Sequence, residues 1–248
     1  NILNQSINLI ASMPTMMVNA YQMKRRYYDK QSMFFHMPKP GQSTAEHILS
    51  TYRPDQKFTH EEAKLLDMCL LVHADHGGGN CSTFTARVLS SSGTDTYSAI
   101  AAAIGALKGP KHGGANLMVN RQLQDILKHV EHPEDDDEVR EYLRRILRRQ
   151  AGDGSGLIYG MGHAVYTMSD PREVILKERA KHLAYEKGFE EEYNMLYSIE
   201  RLAPDIFAEE KGSSKPVCAN VDLFSGLIYN MLGISEDIYT PLFAIARV

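Results

Sequence analysis

At 248 residues the chain can form one large domain or two modest ones, and its 43% hydrophobic residues suffice for a core. Charged residues make up an ordinary 23% and the net charge is −4, so neither nucleic acid nor a membrane is an expected partner. No apolar run is long enough to span a bilayer, and the uncharged amphipathic opening at Asn1 is not the basic-then-apolar start of a signal peptide.

Residues 2–13 carry an apolar pattern that Pro14 interrupts, which predicts a helix ending there and a second over about 15–29. Ser43-Thr-Ala-Glu46 and Thr59-His-Glu-Glu62 match the capping box, in which a hydroxyl and a carboxylate three residues apart satisfy free backbone N–H groups. The second opens an apolar helix through Leu65-Leu-Asp-Met-Cys-Leu-Leu-Val72 that ends at glycines 77–79. The small-residue run 96–107 predicts a helix buried in the core or at a subunit interface, stopped by Gly109-Pro110. Over 134–149, acids come first and Arg144, Arg145, Arg148 and Arg149 last, which complements a helix dipole. The plain reading is a solvated surface helix; the alternative is that part of the arginine cluster meets an anionic ligand. Further helices are expected at 172–187, 189–201, 222–232 and from about 240, and no convincing hairpin signal appears. The three cysteines, Cys69, Cys81 and Cys218, lack metal-ligand spacing and read as reduced thiols of a cytoplasmic or similarly reducing compartment.

Three histidines sit beside glycine, in His73-Ala-Asp-His76-Gly-Gly-Gly-Asn80, Gly109-Pro-Lys-His112-Gly-Gly-Ala-Asn116 and Gly160-Met-Gly-His163-Ala-Val. A fourth segment, Asn220-Val-Asp222-Leu-Phe-Ser-Gly226, supplies an aspartate in a similar setting. Glycine beside a titratable group lets backbone and substrate approach closely, so four such segments look like one active site handling protons through histidine and carboxylate. His73 and His76, three apart, could share a helix face and bind zinc, could satisfy buried carbonyls, or could display His76 to a polar substrate. Gly160-Met-Gly162 lacks the third glycine and the βαβ setting of a dinucleotide fingerprint. Neither a phosphate-loop ending nor a Gly-x-Ser-x-Gly elbow is present.

In chain order, those segments are joined by Ser169-Asp-Pro-Arg172 and Thr240-Pro-Leu-Phe243-Ala-Ile-Ala-Arg247. From near Thr59 to Val248 the combination strongly resembles the citrate synthase family. The resemblance implies an all-α subunit with a large domain at 1–114 and 233–248, a small domain at 115–232, an active site in the cleft between them, and a homodimer. It implies condensation of oxaloacetate with acetyl-CoA to give citrate and CoA, with no permanently bound cofactor or metal. Asp222 matches the base, His112 the group on the acetyl carbonyl oxygen, and His163 the group that polarises the oxaloacetate ketone. Arg172 and Arg247 match carboxylate clamps, His76 a further oxaloacetate contact, Asn80 a support for that loop, and Phe243 an aromatic beside the substrates. Gly160 and Gly162 match backbone that approaches CoA, and Lys215 stands where a basic residue would meet a CoA phosphate or remain solvated. Asp222 is also expected to be able to cap its helix.

Family members are longer at both ends, and their continuation carries a further arginine donated across the dimer, so this chain alone is expected to have little or no synthase activity. The nearest rival is 2-methylcitrate synthase, which takes propionyl-CoA; a non-catalytic helical interaction module is a rival of another class, and a zinc hydrolase a distant third.

Overall fold

The structure, a computed structural model, describes residues 1–75, 79–109, 112–163, 166, 168–212 and 216–248. Among the described residues it contains eleven α-helices and a short 3-10 helix, with one isolated antiparallel bridge between Met161 and Ala219 in place of any strand. No described helix is long and apolar enough to cross a membrane. The chain divides into two compact units, Asn1–Gly114 with Ser235–Val248, and Ala115–Ile234.

The first unit is built on α1 (Ile2–Tyr27), α2 (Thr44–Tyr52) and α3 (His60–Ala74). Pro14 does not break α1; the helix runs straight through it. An interior proline costs one backbone hydrogen bond, roughly 3 kcal/mol in all, and here Pro14 is buried with Met17, Val18 and Gln22, so packing outweighs that local cost. Both expected capping boxes are formed: Ser43 with Glu46, and Thr59 with Glu62. Glu62 also receives Arg53 across the α2–α3 connection at 2.8 Å. Ile48, Leu49, Leu66 and Cys69 are fully buried between these helices.

Two helices follow, α4 (Cys81–Ser91) and α5 (Thr96–Leu107), packed on each other. The small-residue helix α5 is not in the core of the unit: only Ala99 and Leu107 are buried, and α4 buries none of its residues. Small side chains permit close packing without compelling it, and α5 uses that freedom mainly against the equally exposed α4. Residues 239–247 return to the unit as a helix packed on α3, numbered α11 below (Tyr239–Arg247).

The second unit comprises α6 (Ala115–His129), α7 (Asp136–Leu147), α8 (Pro171–Lys187), α9 (Glu190–Lys211) and α10 (Asp222–Met231). Helix α10 is apolar nearly all round and buries Leu223, Phe224, Leu227, Ile228, Tyr229 and Met231, as a central helix must. It packs on α6, α8 and α9. Helix α9 continues ten residues past the expected stop, through Pro204, because its buried stripe extends over Leu202, Ala203 and Ile206. Two arginines of the exposed cluster at the end of α7 pair with acids of α9. Arg144 pairs with Glu209 at 2.8 Å and Arg148 with Glu210 at 2.6 Å, while Arg201 of α9 returns to Asp136.

Within this unit a buried Glu173 meets the half-buried pair Lys177 and Glu200. Lys177 Nζ lies 2.6 Å from Glu200 and 3.6 Å from Glu173. One ammonium cannot neutralise two carboxylates out of water. Burial, then the charge of Glu200, push the Glu173 carboxyl up to about 7.

Candidate active site

In the first unit, His112 closes a tight turn, its N–H donating to the Gly109 carbonyl at 2.9 Å. Gly113 is required beside it: a β-carbon there would collide with the Leu107 carbonyl oxygen. His112 Nε2 faces Ser82 of α4, 3.3 Å from the backbone N–H and 3.0 Å from Oγ. A ring nitrogen that accepts an N–H is unprotonated, which leaves the proton of a neutral imidazole on Nδ1. Asn80 caps α4, its Oδ1 accepting from the Thr83 N–H at 2.9 Å and the Ser82 hydroxyl at 2.7 Å, and so fixes the turn that faces His112.

A second cluster of this unit joins α3 to α11. The fully buried ring of His73 lies 4.6 Å from that of Phe243, and the Arg247 guanidinium covers the other ring partner, 4.4 Å from the Phe243 centroid. Arg247 Nε donates to the His73 carbonyl oxygen. His76, the further contact expected here, lies outside the described residues.

In the second unit, His163 follows Gly160 and Gly162, both at positive φ. Gly160 admits no side chain: a β-carbon would meet Leu223 Cδ1 at 2.7 Å and Cα at 3.0 Å. His163 Nδ1 accepts the backbone N–H of Tyr166 at 3.0 Å, so a neutral ring carries its proton on Nε2. That nitrogen lies 3.3 Å from Arg172 Nη2 and 3.8 Å from Asp170 Oδ2. Asp170 caps α8, and its carboxylate takes Arg172 Nε at 3.0 Å and Nη2 at 2.8 Å. Burial raises the Asp170 carboxyl, but its hydrogen bonds from the Arg172 side chain and backbone, with the charge of that guanidinium, outweigh burial and hold it below the usual carboxylate range.

Asp222 opens α10 at its first helical position, and the N-cap residue before it, Val221, makes no side-chain cap. Asn220 supplies that service instead, its Oδ1 accepting from the Asp222 N–H at 3.0 Å. The segments carrying His163 and Asp222 are joined where Gly162 N–H donates to the Cys218 carbonyl at 2.7 Å and Asn220 N–H to the Gly160 carbonyl at 2.9 Å. Lys215, the expected phosphate contact, lies outside the described residues.

The family pattern described as "Citrate synthase, C-terminal domain" matches residues 1–248. The chain belongs to the citrate synthase family. It is 37% identical to the citrate synthase of Synechocystis over 98% of this chain and 55% of the relative, and 40% identical to that of Deinococcus radiodurans over 77% and 46%. The crystal structure of citrate synthase from Pyrobaculum aerophilum superposes with a TM-score of 0.78 at 30% identity, over 96% of this chain and 54% of that one. That of Thermoplasma acidophilum, a ternary complex with carboxymethyl coenzyme A and oxaloacetate, gives 0.76 at 31% identity, over 96% and 57%. The chain therefore spans about half the length of the curated citrate synthases it matches. The all-helical fold is that of these neighbours.

Four residues that order the site carried no role in the sequence reading: Ser82, Tyr166, Asp170 and Asn220. Asp170 had a local signal, because an aspartate before Pro-Arg is a strong helix cap. Asn220 had one too, two residues ahead of a helix that its neighbour does not cap. Ser82 and the Tyr166 N–H act on histidines through geometry that sequence does not express.

Proposed function

We propose that the protein carrying this chain condenses acetyl-CoA with oxaloacetate to give citrate and CoA. The observation that carries this reading is the pairing of His163 Nε2 with Arg172 Nη2 at 3.3 Å. Oxaloacetate presents a ketone oxygen beside a carboxylate, and two adjacent donors, one of them a fixed cation, suit that pair of acceptors. Asp170 contributes by holding the guanidinium, through Nε and Nη2, beside His163.

Each remaining residue then has a role that its chemistry allows. Asp222 removes a proton from the thioester methyl, a weak carbon acid that needs a placed base. His112, neutral with its proton on Nδ1, donates to the thioester oxygen as the enolate forms. The enolate carbon attacks the ketone carbon, the ketone oxygen takes the proton on His163 Nε2, and hydrolysis of the resulting thioester frees CoA. Arg247, set against Phe243, offers a second cation for the dianion. His76, Asn80, Gly160, Gly162 and Lys215 keep the supporting contacts that the family resemblance gives them. On the same reading the two compact units correspond to the large and small domains.

A homodimer belongs to this reading. Helix α4 buries nothing within its own chain, while Phe84 is 68% exposed and Leu71 of α3 73%. A second copy would cover such apolar surface, and sedimentation of the whole protein as a monomer at micromolar concentration would count against it.

The test is thiol release from acetyl-CoA on adding oxaloacetate, in the whole protein and in Asp222→Ala. Oxaloacetate-dependent release that collapses in the variant supports both the reaction and the base. Release from propionyl-CoA alone shifts the substrate to the methylcitrate homologue. No release from either thioester overturns the reading.

A further inference from the structure

The histidine and the aspartate of the second unit reach their positions on separate segments, His163 on a glycine loop and Asp222 at the start of α10. A single side chain joins them. Asn220 spends all its polar groups on this junction. Its Nδ2 donates to the Gly162 carbonyl, the residue before His163, at 3.0 Å. Its Oδ1 accepts the Asp222 N–H at 3.0 Å, its own N–H donates to Gly160 at 2.9 Å, and its carbonyl accepts the Leu223 N–H at 3.1 Å.

The residue type follows from those demands. The bridge needs one donor and one acceptor on a short, rigid, planar group. Aspartate keeps the acceptor for Asp222 but sets an oxygen against the Gly162 carbonyl. Serine is too short to serve both segments, and glutamine adds a rotatable bond that would loosen them. The surrounding backbone is already committed: Gly162 N–H is bonded to Cys218, and Gly160 has no room for a β-carbon against Leu223. The junction therefore has few ways to relax when the amide is changed.

We propose that Asn220 is a positioning residue, whose amide fixes the Asp222 carboxylate relative to the His163 loop. This rests on the condensation reading above. Asn220 neither takes a proton nor holds oxaloacetate; it sets the distance and angle at which the base meets the thioester methyl. Misplacing a base by about 1 Å costs up to about 100-fold in rate. The loss falls on proton abstraction and spares oxaloacetate binding, which rests on Arg172, held by Asp170 and not by Asn220.

The experiment compares Asn220→Asp and Asn220→Ala with wild type in the whole protein. It reads kcat, KM for oxaloacetate, the rate with trideuterated acetyl-CoA, melting temperature, and hydrogen exchange of the peptide covering 158–163. Expected for Asn220→Asp is a melting temperature near wild type, with kcat lower by about 10- to 100-fold, oxaloacetate KM nearly unchanged, a larger deuterium effect, and faster exchange across 158–163. A kcat within twofold of wild type overturns the proposal. So does a loss of kcat that follows the melting temperature across the two variants, because that is a stability role alone. If wild type itself releases no CoA, the condensation reading fails separately. Exchange across 158–163 then decides: unchanged exchange in Asn220→Asp overturns the bridge, and faster exchange upholds it.

Discussion

Asp170 grips Arg172 through both carboxylate oxygens, Oδ1 on Nε at 3.0 Å and Oδ2 on Nη2 at 2.8 Å, with Asp170 fully buried and Arg172 6% exposed. Removing one member of a buried pair strands the other, at a cost of about 3–5 kcal/mol. Asn is nearly as good a helix cap as Asp. Asp170→Asn should therefore isolate the charge, destabilising the protein by several kcal/mol (about 3–5) in urea unfolding while α8 keeps its start. The pair is shielded from solvent, so the loss should persist in high salt. Because the folded carboxyl titrates below its ordinary value, its contribution is present above the unfolded pKa and is lost as pH falls through the folded one.

Gly160 should tolerate no substitution. Its φ is +82°, and an added β-carbon would press on the Leu223 backbone as well as its side chain. Gly160→Ala combines backbone strain with core overlap, so a loss of at least ~2 kcal/mol is expected by thermal or chemical unfolding. A wild-type melting curve would contradict this account of the loop.

Glu173 gives the protein a pH-dependent weakness. Its carboxyl lies 1% exposed and titrates at about 7, against 4.5 for an ordinary glutamate. The folded state therefore binds the proton more tightly than the unfolded one. Stability from this group is complete below pH 4.5 and declines as pH rises towards 7. At about 1.4 kcal/mol per pKa unit, the penalty above pH 7 is up to about 3 kcal/mol. Lys177 of α8 and Glu200 of α9 face it, with Tyr193 of α9 near Lys177 and Asp170 near Glu173 adding to the field. Glu173→Gln should be more stable than wild type at pH 8 and gain nothing at pH 4.5. A stability difference independent of pH would contradict the buried-carboxyl account.

The arginines that join α7 to α9 should matter far less than their number suggests. Arg148 and its neighbours are exposed, and exposed ion pairs contribute little after side-chain ordering and screening. Arg148→Ala should melt with wild type within experimental scatter, whereas Ile146→Ala, on the buried face of the same helix, should melt well below it.

Local rules were legible in the sequence, and distant ones were not. Both capping boxes depend on residues three apart and formed as read. Pro14 misled because proline's local cost is offset by burial against other helices, which a window of a dozen residues does not contain. Helices α4 and α6 went unread: α4 buries nothing and so carries no strong stripe, and the start of α6 is hidden in the glycine segment after His112. Of the proposed site, the sequence offered the groups with intrinsic chemistry, His112, His163, Arg172 and Asp222. It did not expose what aims them. Ser82 meets His112 across thirty residues, and Asn220 meets Gly162 across fifty-eight.

Between Gly162 and Asn220 the chain makes the whole of α8 and α9, thirty-nine helical residues if α8 runs 171–187 and α9 190–211. Their closure cannot be recovered locally, because a loop of that length gains its entropy back only when both helices are docked. The contact between the histidine loop and the start of α10 is therefore one of long sequence separation, closed across both helices. A chain with native helix content and an undocked α9 would therefore keep its helical circular dichroism while losing this junction.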